Sequence, residues 1–167
     1  MSEKIEDAIN DNLKGEVQKN ALELIAYLRK NKMNPVNTSK NGWKISSKAC
    51  VVCYIWLDSN TSALIINPFI GEYEPDSLSD DLREIVYSKK KQGTACEVCH
   101  VISGDGYKCS YKIKAVFGKD YHDACARSIT FINPNANEIE CIKKLLELRK
   151  DTVKNGKLLL SSPKNYG

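Results

Sequence analysis

"GWKISSKACVVCYIWLDSNTSALIINPFI", residues 42 to 70, decides how the rest of the chain is read. Its first run, "GWKISS", alternates Trp43 and Ile45 with polar neighbours, the period of a strand with one buried face. The second, "ACVVCYIWL" (49–57), is apolar on both faces, as a central strand is when both are covered. The third, "SALIINPFI" (62–70), is another apolar strand, ended near Pro68. Asp58, Ser59 and Asn60 are turn formers and connect the last two. Three such runs in succession read as an antiparallel meander.

Helical periodicity flanks the meander. Val17, Ala21, Leu24, Ile25 and Leu28 recur at helical spacing and predict an amphipathic helix over 16–31. Gly15 marks a break, and the residues before Glu16 extend the helix or fray. "NKMNPVNTSKNG" (31–42) reads as a loop, punctuated by Pro35 and Gly42. A second helix is expected after "GEYEPDS" (71–77), with Ser79 as N-cap, Asp80 and Asp81 in the first turn, and Leu82, Ile85 and Val86 as its buried stripe. It should end near Lys91. "YKIKAVFG" (111–118) and "RSITFIN" (127–133) read as further strands. Asn133-Pro134 opens a last helix, with proline at the first helical position and Ile139, Ile142, Leu145, Leu146 and Leu148 toward the core.

The resulting order is α-β-β-β-α-loop-β-β-α. It predicts an α+β fold, with helices packed on one face of a mostly antiparallel sheet of about five strands. Residues 1–167 read as a single domain with its core over about 16–150, residues 1–15 and 151–167 being peripheral.

Composition sets the outer limits. Hydrophobic residues make up 42% and charged residues 28%, ordinary for a globular protein. No apolar run approaches the roughly 20 residues that span a bilayer, so no membrane association is expected. The polar start, "MSEKIEDAINDNLKGE", has no signal-peptide core, and a cytoplasmic location is expected. In a reducing compartment the seven cysteines are buried hydrophobes, thiols or metal ligands rather than a disulfide framework. The net charge of +4 is carried almost wholly by lysine, the arginines being Arg29, Arg83, Arg127 and Arg149. Nucleic-acid readers favour arginine, whose planar fork matches phosphates and guanine edges. The run Lys89-Lys90-Lys91, near Tyr87, therefore reads as the solvated end of a helix, and nucleic-acid binding is not expected.

"CEVCH" (96–100) carries three chemistries at once: haem c attachment, half of a zinc site, and a dithiol redox centre. Haem is attached outside the cytoplasmic membrane, and the second axial ligand would have to be Met33 or His122, which disfavours that reading. Cys50 and Cys53 also form a C-x-x-C, but inside a strand, where positions three apart point to opposite faces. They read as core, as does Cys141 in the last helix. Cys96 and Cys99 lie in a loop, where a knuckle can turn both sulfurs onto one ion. Cys109 and Cys125 are equidistant from Phe117. A hairpin centred there sets them side by side, so that Cys96, Cys99, Cys109 and Cys125 can close a structural zinc site. His100 or His122 can replace one of the four. A redox dithiol favours the N-terminus of a helix, whereas this motif follows one. Unligated thiols remain the simplest alternative.

No G-x-S-x-G, H-E-x-x-H or phosphate-loop signature is present. "GDG" (104–106) lacks the third glycine of a dinucleotide loop, and His122-Asp123 has no nucleophile beside it.

The strand "CVVCYIWL" with Trp43, then "CEVC", "VFGKDYHDAC" and "FINPNANEIECIKKLLELRK", resemble an uncharacterised bacterial family of small cytosolic proteins. The resemblance spans roughly residues 18 to 150 and extends distantly to YdhG-like α+β domains. It implies a cysteine cluster at Cys96, Cys99, Cys109 and Cys125, leaves His100 outside it, and implies no activity.

Two functions are expected. One is a non-enzymatic domain binding a small molecule or protein partner, with Trp43, Tyr54, Trp56 and Phe69 lining an apolar pocket. Aromatic residues also dominate cores, and these four fit there as readily. The other is a thiol enzyme or redox sensor acting through Cys96 and Cys99.

Overall fold

The computed structural model of the protein describes residues 4–48, 50–90, 112–126 and 129–154. Helices α1 (Ile5–Asn12) and α2 (Gly15–Lys30) lead into four strands: β1 (Pro35–Ser39), β2 (Gly42–Ser47), β3 (Cys50–Asp58) and β4 (Ala63–Pro68). A 3-10 turn (Pro75–Ser77) precedes α3 (Asp80–Lys89). Strands β5 (Lys112–Val116), β6 (Lys119–Cys125) and β7 (Phe131–Ile132) follow, then α4 (Ala136–Lys154). The main sheet has five strands in the order β1-β2-β3-β4-β7, antiparallel throughout. The fold is α+β with helices packed on the sheet, as expected.

The chain reverses between β3 and β4 because Asp58 organises its own turn. Its carboxylate accepts from the Asn60 N–H at 2.9 Å and from the Thr61 hydroxyl at 2.8 Å. These two donors hold the Asp58 carboxyl below the usual carboxylate range. Strict alternation then sends Cys53, Ile55 and Leu57 of β3 toward the helices, with Ile45, Leu64, Ile66 and Phe131 beside them, all buried. Trp43 belongs to this covered face and is also fully buried. The opposite face carries Lys44, Tyr54, Trp56, Ile65 and Asn67, all half-buried.

Several elements depart from the sequence reading, each for a local reason. Residues 31–42 are not all loop, since Pro35–Ser39 forms the edge strand β1. An edge strand tolerates proline because one side of its ladder needs no donor. Residues 5–13 are not peripheral: Ile5–Asn12 form α1, and Ile5, Ala8, Ile9 and Leu13 are buried in the common core. The break does fall at Gly15, whose φ of +61° is one that glycine adopts without strain. Pro134 precedes the last helix rather than starting it. Asn135 caps α4 in a reciprocal box: its side chain accepts from the Glu138 N–H and Glu138 accepts from the Asn135 N–H, both at 3.0 Å.

The strand at 111–118 does not join the main sheet. It forms a separate ribbon, β5 paired with β6. The ribbon reverses at Phe117-Gly118, as expected, but its register is not symmetric. Val116 pairs with Lys119, whereas past an irregularity Lys112 pairs with Cys125. The cross-strand neighbour of Cys125 is therefore Lys112, not Cys109. The ribbon is held beside α3, where the Tyr87 hydroxyl donates to the Phe117 carbonyl at 2.9 Å and Tyr73 stacks on Phe117 at 5.6 Å.

Candidate functional site

The open sheet face is built from two cross-strand rows. Val36, Lys44, Tyr54 and Asn67 form one, and Gly42, Trp56, Ile65 and Ile132 the other. Tyr54 and Trp56 sit two apart on β3, so the pleat puts both side chains on this face. Their rings stack at 5.3 Å with planes 24° apart. Gly42 makes room for this arrangement. A β-carbon there would lie 3.0 Å from Trp56 Cδ1 and Nε1, so the indole rests directly on the β2 backbone. The margins of the face are apolar as well: Val36 is 53% exposed and Ile132 59% exposed.

The four aromatics expected to line one pocket are thus divided. Tyr54, Trp56 and Phe69 cluster, Phe69 lying 5.9 Å from Tyr54 with its ring tilted 56°. Trp43 is on the other face and serves the core, its indole Nε1 buried without a partner. Phe69 is buried too, beneath the Arg149 guanidinium at 5.9 Å. Only Tyr54 and Trp56 keep part of their surface open to solvent. Alternation on β2 and β3 puts Trp43 on one face and Tyr54 and Trp56 on the other, but the role of Gly42 beneath Trp56 is visible only once the register is known.

The cysteines divide in a similar way. Cys96, Cys99 and Cys109, together with His100, lie outside the described residues, as does the "GDG" at 104–106. Cys125 closes β6 and is buried. His122 lies on β6. Among the described residues, no group of three or more His, Cys, Asp or Glu side chains can hold a metal ion. Cys53 and Cys141 are core, as expected, and burial raises both thiol pKa values, that of Cys141 to about 12. Both therefore stay protonated and unreactive at neutral pH. Cys50 is half-buried at the start of β3.

The basic run differs from its expected solvated state. Lys89 pairs with Glu138 at 2.6 Å, and its ammonium lies 5.7 Å from the Phe131 ring. Lys90 is only 5% exposed and donates to the Cys125 carbonyl. The run ties α3 to the end of the ribbon and to α4, while Lys91 lies outside the described residues. Among the described residues no helix is long and apolar enough to cross a membrane. No family model, curated protein or solved structure matches this chain.

Proposed function

We propose that the protein is a non-enzymatic binding domain whose open sheet face takes a small planar, largely apolar ligand. The stacked Tyr54–Trp56 pair carries this reading. A ring system laid on Trp56 extends an existing stack and needs no new ordering of either side chain, which lowers the cost of binding. Ile65, Ile132 and Val36 supply apolar contact around it, and Lys44 offers a polar group that can fix orientation. Nile red, uncharged and planar, tests the idea. It should bind the wild-type protein with increased emission and with energy transfer from tryptophan. Trp56→Ala should lose most of the binding and Trp56→Phe retain much of it. Equal binding by the wild type and Trp56→Ala, or none by the wild type, sinks the reading.

A structural zinc held by Cys96, Cys99, Cys109 and Cys125 belongs to the same proposal. The observation that favours it is the buried ammonium of Lys90 at the backbone of Cys125. Four thiolates around zinc carry a net negative charge, and a buried cation beside one ligand offsets it. Zinc there would supply folding stability and no open coordination position.

A further inference from the structure

One end of the sheet gathers positive charge. The C-terminus of α2, the β2–β3 turn and the last turns of α4 enclose an open cleft of about 450 Å³. Among the described residues it is lined by Lys30, Asn31, Lys32, Ser47, Lys48 and Lys150, none of them acidic. Lys150 Nζ donates to the Asn31 carbonyl at 3.1 Å. Among the described residues none of the four lysines is ion-paired. Glu147, one turn from Lys150 on α4, feels its charge but spends its hydrogen bonds on Lys144 at 2.8 Å and the Tyr27 hydroxyl at 3.1 Å.

Cations at a helix C-terminus offset its dipole, which accounts for Lys30 and for the bond from Lys150. It does not account for Lys48, which comes from the sheet. Nor does it explain the backbone. Lys32 has φ +59° and Lys48 φ +54°. α2 ends in a Schellman motif, with Met33 N–H donating to the Leu28 carbonyl at 2.9 Å and Lys32 N–H to the Arg29 carbonyl at 3.0 Å. Its left-handed position is one that glycine usually fills. Lys48 begins the short connection between β2 and β3, where glycine is again favoured. Two independent turns therefore carry a lysine in a conformation that strains a side chain, and both lysines line the same cleft. Ser62, Phe117 and Asn133 share this conformation elsewhere, so what sets these two turns apart is that both bring a lysine to the same cleft.

We infer that this cleft binds the adjacent phosphoryl groups of a small di- or triphosphate. Lysine acts on phosphate as a point charge, and four of them exceed what a single carboxylate can neutralise. The volume lies within the range of about 300–1,000 Å³ common to small-molecule sites. A nucleic-acid backbone would need the basic surface to continue. Instead the flanking cations are neutralised, Arg29 by Glu6 at 2.6 Å and Lys143 by Glu23 and Glu140 at 2.5 and 2.6 Å. The site lies at the sheet end and is independent of the aromatic face.

Titration calorimetry of the full chain with inorganic pyrophosphate, and separately with ATP free of divalent metal, tests this at fixed ionic strength. Sulfate serves as the comparison. Pyrophosphate should bind well above sulfate. Lys32→Gly and Lys48→Gly should each weaken it about tenfold, as expected for one charge-assisted contact, while the melting temperature holds or rises because glycine suits both turns. ATP binding more tightly than pyrophosphate assigns the site to a nucleotide, and equal binding assigns it to the diphosphate group itself. The inference is overturned if pyrophosphate binds no better than sulfate or if the glycine variants keep wild-type affinity. Tighter binding of a single-stranded oligonucleotide than of either probe overturns it as well.

Discussion

At the residue scale, cysteines of one chain divide by surroundings rather than by spacing. Cys53 sits on a strand, fully buried, with burial raising its thiol pKa, and it packs like a small hydrophobe. Replacing it with alanine should cost about 1–2 kcal/mol in urea unfolding and leave metal content untouched. Cys99→Ser and Cys109→Ser should instead reduce bound zinc from about one per chain and destabilise the protein at the same time, because metal binding and folding are coupled. Metal analysis beside urea melts separates the two classes. Serine variants that keep full zinc and full stability would remove the zinc site from the account. The tryptophans divide on the same principle: Trp43 faces the helices and Trp56 lies over Gly42 on the open side. Alternation on β2 and β3 in their common register distinguishes them, whereas composition does not.

At the element scale, the helix ends show how local chemistry sets boundaries. The box between Asn135 and Glu138 satisfies two N–H groups that α4 would otherwise leave without partners. Asn135→Ala should cost about 1 kcal/mol, and Asn135→Asp should restore most of it. A loss near zero would mean that α4 is held by packing alone. The end of α2 is tied to α1 by a bidentate pair, Arg29 donating to both Glu6 oxygens at 2.6 and 2.9 Å. The hydrogen bonds from Arg29 hold the Glu6 carboxyl below its usual range. A depressed carboxylate stabilises the fold above its unfolded pKa, and the contribution disappears as pH falls through the lowered folded value. Both side chains are partly exposed, so solvent screening limits the contribution to about 0.5 kcal/mol. The stability gap between wild type and Glu6→Gln should be present at pH 7 and close on acidification. A gap that widens toward low pH would contradict the pairing.

At the scale of the whole molecule, α1 tests how far the core extends. Ile9 is fully buried against the sheet and α2, so Ile9→Ala should cost about 2–5 kcal/mol in denaturant unfolding. A peripheral segment would lose almost nothing. The sequence predicted no role for this stretch because three apolar residues in a short acidic helix are a weak periodic signal. The elements they pack against, α2 and β3, include residues distant along the chain. The meander is legible before any folding is considered, because apolar alternation with period two and the turn chemistry of Asp58 are local properties. The helix over α2, the break at Gly15 and the inward stripe of α4 are legible for the same reason, since periodicity and glycine's conformational freedom act within a few residues. The hairpin turn at Phe117-Gly118 is marked as well, but not its register, because an irregularity in pairing leaves no trace in composition. Long-range packing, in contrast, sets β5 and β6 apart from the main sheet, turns Lys90 inward to the Cys125 carbonyl, and brings Lys30, Lys32, Lys48 and Lys150 onto one cleft. Each of these joins residues far apart in the chain, and which of them meet is set by the packing of helices on the sheet.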